Sequence, residues 1–102
     1  MKNATKAILE TKAGKANKSV INMLANCRFA PSTKRIYTGY YSGSGRFTSA
    51  HSAIHTVTDI LAKQGYKYTT GNDAPKGGAS GEYVQVSKAA FNFIYDWYLA
   101  NK

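Results

Sequence analysis

The sequence contains a single cysteine, Cys27, in 102 residues. That excludes an internal disulfide framework and any zinc site built from several cysteines, and it fits a reducing compartment. Acidic residues are scarce too: five, against fourteen lysines and arginines, give a formal net charge of +9. Five scattered acids leave little from which to assemble the carboxylate pair of a glycosidase or a phosphodiesterase. No apolar run approaches the ~20 residues needed to cross a bilayer, and the N-terminal stretch lacks the continuous apolar segment of a secretory signal. Internal repeats, heptad seams and long low-complexity linkers are missing as well. The expectation is a soluble, cytoplasmic protein with no membrane partner.

What is present suffices for one core. With 43% hydrophobic and 13% aromatic residues, the chain is too apolar for a disordered basic tail. Its length points to a single domain, 1–102, made of a basic helical part, 1–30, and an α/β part, 34–102. The charge is unevenly placed. Through Arg46, nine cations face only Glu10, a net +8, whereas the remainder carries five cations against four acids, a net +1. An excess confined to one part of a chain makes a field that attracts polyanions, nucleic acid or an acidic protein surface. A solvated lysine face is the plainer explanation.

The hydrophobic periodicity predicts a short helix from Asn3, as N-cap, to about Ala13, ending at Gly14. A second begins near Asn17, carries an apolar stripe of Val20, Ile21, Met23, Leu24 and Cys27, and stops before Pro31. Lys34 to Tyr41 is β-branched and aromatic and reads as a strand. After Ser42-Gly43-Ser44-Gly45, Thr48 or Ser49 is placed to cap a third helix running to Gln64, with Ala50, Ala53, Ile54, Val57, Ile60 and Leu61 on one face and Gly65 as its stop. Tyr66–Thr70 and Glu82–Val86 alternate like strands, joined by the breaker-rich stretch 71–81. Ser87 can cap a last helix, Lys88–Ala100, whose Phe91, Phe93, Ile94, Trp97 and Tyr98 must be buried in the core or against a second copy, so a homodimer through this helix is a further expectation. The order α-α-β-α-β-β-α implies a small α+β domain with a three-stranded sheet.

Four constellations could carry chemistry. The junction Tyr41-Ser42-Gly43-Ser44-Gly45-Arg46 joins a strand to a helix start, where Gly43 and Gly45 let backbone amides approach an anion and Arg46 adds a bidentate phosphate donor. It lacks the Gly-Lys-Ser/Thr ending of a P-loop, and a plain turn is the favoured explanation. Tyr37, Tyr40, Tyr41, Tyr66 and Tyr68 lie among Lys34, Arg35, Arg46 and Lys67, an interleaving that suits Tyr37 and Tyr41 to stacking bases while phosphates are neutralised, but tyrosines that fill the core with their hydroxyls at the rim are the favoured reading. If Ile36 points inward, alternation sends Arg35, Tyr37, Gly39 and Tyr41 outward. His51, His55 and Asp59 share one side of the third helix, but a solvated face is favoured over a metal site, and no cofactor is expected. Cys27 follows an apolar stripe and reads as a small buried side chain without a base beside it.

From Thr56 to Val86 a helix ending in Leu61-Ala62-Lys63-Gln64-Gly65 is followed by a strand, a glycine-rich loop and another strand. Over about thirty residues this layout resembles the recognition helix and wing of winged-helix DNA-binding domains, which implies an alternative fold of that type. The functional expectation is a small, non-catalytic nucleic-acid-binding protein that contacts the DNA or RNA backbone through Lys12, Lys15, Lys18, Arg28, Lys34, Arg35, Gly43, Gly45 and Arg46, with Tyr37 and Tyr41 as stacking groups. The alternative is a small inhibitor or adaptor, of the kind phages use as accessory or anti-defence proteins, docking on an acidic surface of a protein partner.

Overall fold

The computed structural model describes residues 2–41, 47–49, 51–72 and 82–102, with the backbone alone for 39–41, 47–49, 51 and 52. It opens with helix α1 (Asn3–Leu9), which starts one residue earlier than a cap at Asn3 would allow: Lys2 occupies the N-cap position and offers no side-chain cap. The helix also ends sooner than its composition suggests. Glu10 turns extended and pairs with Ala16 as an isolated antiparallel bridge, and Gly14, at φ +77°, closes the turn between them. Thr11, Lys12 and Ala13 are all exposed, so a further helical turn would have buried nothing. Helix α2 (Lys18–Ala25) begins where the sequence predicts. The Asn17 side chain accepts from the Ser19 N–H at 3.1 Å, and its amide donates to the Ile8 carbonyl at 3.1 Å, which ties the start of α2 to α1.

Among the described residues five strands form one antiparallel sheet: β1 (Arg28–Ala30), β2 (Arg35–Tyr41), β3 (Phe47–Ser49), β4 (Tyr68–Asn72) and β5 (Glu82–Val86). Four lie side by side in the order β1-β2-β5-β4, and β3 pairs with the second half of β2. The expected three-stranded sheet is thus too small. Strand β1 replaces what reads as the approach to Pro31, and β3 takes up Thr48 and Ser49, which a helix cap would have used. Each is three residues long, too short for alternation to be seen. A four-residue turn, Pro31-Ser32-Thr33-Lys34, joins β1 to β2, with Lys34 in the left-handed region at φ +56° and its ammonium donating to the Pro31 carbonyl.

Helix α3 (His51–Gln64) lies across the sheet, and its Ala53, Val57, Ile60 and Leu61 are completely buried. It ends in the double hydrogen bond expected of a glycine stop: Gly65, at φ +93°, donates to Ala62, and Tyr66 donates to the Leu61 carbonyl at 2.8 Å. Helix α4 (Lys88–Asn101) starts at Ser87, whose hydroxyl accepts from the Ala90 N–H at 3.2 Å. All strand residues of the core (Ile36, Val84 and Val86) come from one face of the sheet, and Leu9, Val20, Leu24, Phe91 and Ile94 meet them from the helices. Phe29 of β1 sits among the α4 rings, 4.8 Å from Tyr95, 5.8 Å from Tyr98 and 5.9 Å from Phe91.

That packing alters two expectations. The aromatic surface of α4 is largely taken up internally, Phe91 and Ile94 in the core and Tyr98 against Phe29, which leaves Trp97 half-buried and Leu99 exposed at the helix end. The winged-helix layout survives only as an order of elements. Strand β5 lies between β2 and β4 inside the sheet, α3 packs its apolar stripe on that sheet, and the loop 73–81 that would form the wing lies outside the described residues. Among the described residues no helix is long and apolar enough to cross a membrane.

Candidate nucleic-acid interface

Strand alternation sets the second face of the sheet. Because Ile36 and Val84 point to the core, Arg35, Tyr37, Tyr83 and Gln85 point the other way, and the register Arg28↔Tyr37 places Arg28 beside them. These side chains interlock. The Arg28 guanidinium lies over the Tyr37 ring, 4.5 Å from its centroid, and the Arg35 guanidinium lies 4.1 Å from the centroid of Tyr83. The two rings are 5.6 Å apart. Arg35 also donates through Nε to Gln85 at 2.9 Å and through Nη1 to the Tyr37 hydroxyl at 3.4 Å. Gln85 in turn donates to the backbone carbonyls of Thr33 and Lys34. A cation over an aromatic face is worth roughly 0.5–2 kcal/mol, so this chain of contacts holds both guanidiniums in place.

Glycine at position 71 makes room for it. A Cβ there would lie 2.6 Å from the Tyr83 hydroxyl, so the Tyr83 ring crosses the neighbouring strand at the one residue without a side chain. The outward alternation predicted from Arg35 through Tyr41 holds as far as Tyr37. Between Tyr37 and Gly39 the pairing with β5 shifts by a residue, and the buried Thr38 donates its hydroxyl to the Glu82 carbonyl at 3.3 Å.

The expected contact residues therefore fall into two groups. Lys12, Lys15 and Lys18 are exposed around the α1–α2 turn, in the helix layer. Among the described residues none of the three forms an ion pair, and neither does Arg28; Glu10, the acid nearest them in sequence, pairs with Lys6 at 3.9 Å. Arg28 and Arg35 lie on the opposite side, on the outer face of the sheet, with Lys34 half-buried in the turn that precedes it. Tyr37 is on the predicted face but only 6% exposed, with Arg28 over its ring, so the guanidinium and not the phenol is presented to solvent. Gly43, Gly45, Arg46 and the Tyr41 side chain lie outside the described residues, as does the stretch 73–81.

Tyr83 and Gln85 were not singled out by their sequence. They sit in a strand read for its core residues, and only the pairing of β2 with β5, some 50 residues apart in the chain, brings them to Arg35. The other sequence candidates are quiet. Cys27 is buried, its thiol 3.5 Å from the Met23 carbonyl, and burial pushes its pKa up to about 12. Asp59 pairs with Lys63 at 3.4 Å, and the His51 side chain of the suggested His51, His55 and Asp59 group lies outside the described residues. The chain matches no known family model, no curated protein and no solved structure, so its function rests on this geometry.

Proposed function

We propose that this is a small nucleic-acid-binding protein that contacts the phosphate backbone and performs no catalysis. The observation that carries the reading is a set of exposed cations without acid partners among the described residues, Lys12, Lys15 and Lys18 at the α1–α2 turn and, on the opposite side, Arg28 on the sheet, in a chain of net charge +9. Solvated lysines on a compact domain cost little, but an uncompensated group draws in phosphate and releases its counterions, which makes binding steeply salt-dependent. Titration of a labelled single strand and a labelled duplex at two chloride concentrations tests the reading. Affinity that falls at the higher salt is expected; no binding to either at low salt overturns it.

One observation favours a second reading, docking on an acidic protein. Strand β4 is an edge of the sheet. The Val86 N–H donates to the carbonyl of Lys34, the residue just before β2, so Val84 and Val86 turn their backbone groups toward β2, and their partners Tyr68 and Thr70 turn theirs outward at the edge. A groove lined by Ile54, His55, Thr58, Tyr68, Thr70 and Glu82 runs beside it, an arrangement an added strand could use provided its own acids avoid Glu82. A stoichiometric protein retained from nuclease-treated lysate, together with no affinity for either oligonucleotide, favours this reading over the first.

A further inference from the structure

We infer that the outer face of the sheet receives a single-stranded nucleic acid, with a base laid on the guanidinium of Arg28 and the strand's phosphates beside Arg35. The inference rests on the nucleic-acid reading above and specifies its ligand and its site.

The argument starts from what covers Tyr37. An exposed tyrosine would itself be the stacking platform, but this ring is buried and Arg28 lies over it at 4.5 Å. One side of the guanidinium is therefore occupied by an aromatic ring, and the residue is otherwise exposed. Guanidinium planes serve as stacking surfaces for unpaired bases much as aromatic rings do. Held over Tyr37, this one has lost part of the freedom that a mobile arginine would have to give up on binding. Arg35 adds a second positive charge on the same face. It is diagonal to Arg28 across the β1–β2 pair, a spacing of about 7–8 Å, and it is fixed by Gln85 and Tyr83.

The shape of the face selects the single strand. Four strands side by side at about 4.8 Å spacing span about 14 Å before side chains are counted. The major groove of B-form DNA, about 12 Å wide, admits a helix or a two-stranded ribbon, so a sheet of this width meets a duplex only at its rim. Unpaired bases can splay onto a flat platform while the backbone tracks the cations. The lysines of the α1–α2 turn lie in the other layer and supply attraction that does not depend on base stacking.

The test is fluorescence anisotropy with a labelled oligothymidylate and with its duplex, over a salt series, for the full chain, the Arg28→Lys variant and the combined Lys12→Gln, Lys15→Gln, Lys18→Gln variant. Arg28→Lys keeps the charge and removes the plane. It is expected to weaken the single strand about tenfold, within the range for loss of one stacked base, and to leave duplex affinity and the salt slope as they were. The triple variant is expected to lower the salt slope by about 2, as three phosphate contacts on a single strand would. Unchanged single-strand affinity in Arg28→Lys, with the triple variant still weakened, overturns this inference and leaves the parent reading standing. Tighter binding of the duplex than of the single strand by the unaltered chain also overturns it. No binding of either oligonucleotide by the unaltered chain defeats both.

Discussion

Cys27 shows how burial settles a side chain's chemistry. Its thiol follows Leu24 at the end of α2, is 8% exposed, and belongs to the core cluster. The loss of hydration on burial raises its pKa from 9.0 to about 12. The sign of the stability effect follows directly. Below pH 9 the thiol is protonated in both folded and unfolded chains and the full stability is present. Between about 9 and 12 the unfolded chain gives up this proton and the folded chain keeps it, so stability falls as pH rises, by about 1.4 kcal/mol per pH unit from this group. Chemical denaturation at pH 8 and pH 10.5 is expected to show a steeper loss for the native sequence than for Cys27→Ala. Equal slopes would mean that the thiolate is as well solvated in the fold as outside it. At neutral pH the same burial predicts that the folded protein resists thiol reagents.

At the scale of elements, the junction between α1 and α2 depends on Asn17. Its oxygen caps α2 and its nitrogen holds the Ile8 carbonyl at the end of α1, while its N–H donates to the Leu9 carbonyl at 2.8 Å. Asn17→Ala removes two side-chain hydrogen bonds and leaves the third, so a loss of about 1–2 kcal/mol is expected, read as a lower denaturation midpoint with an unchanged denaturant slope. Asn17→Asp, which retains the cap oxygen, should recover part of it. Such capping signals, with helical spacing, made α2 and α4 legible in the sequence, as the apolar stripe and glycine stop did for α3 and alternation for β2 and β5. Strands β1 and β3 were not legible, because three residues are too few for alternation to show, and β1 is held besides by contacts far along the chain, Phe29 among the rings of α4. For the same reason the sequence could name Arg28, Arg35 and Tyr37 but not their partners Tyr83 and Gln85. It grouped them with Lys12, Lys15 and Lys18, which share their segment of the chain but occupy the other layer of the fold.

For the molecule as a whole, the net charge of +9 acts on stability and on binding with opposite signs. Self-repulsion among unpaired cations destabilises the compact state, and salt relieves it. Ion pairs pull the other way, but two of them are weak: Lys6–Glu10 at 3.9 Å sits at the end of α1 with Lys6 exposed, and Lys63–Asp59 at 3.4 Å lies one turn apart on α3 with both side chains exposed. Exposed pairs of this kind contribute about 0.3–0.5 kcal/mol, too little to oppose the repulsion of nine uncompensated charges. Raising sodium chloride from about 10 mM to about 0.15 M shortens the screening length from about 30 Å to about 8 Å, so Tm is expected to rise. A gain near 1 kcal/mol corresponds to about 4–8 °C for a domain of this size, well within reach of a calorimetric scan. Over the same range the affinity for a polyanion falls. A Tm that instead decreased with salt would show that attractive pairs outweigh the repulsion, and the excess charge would then be a stabilising part of the fold in place of a surface held ready for phosphate.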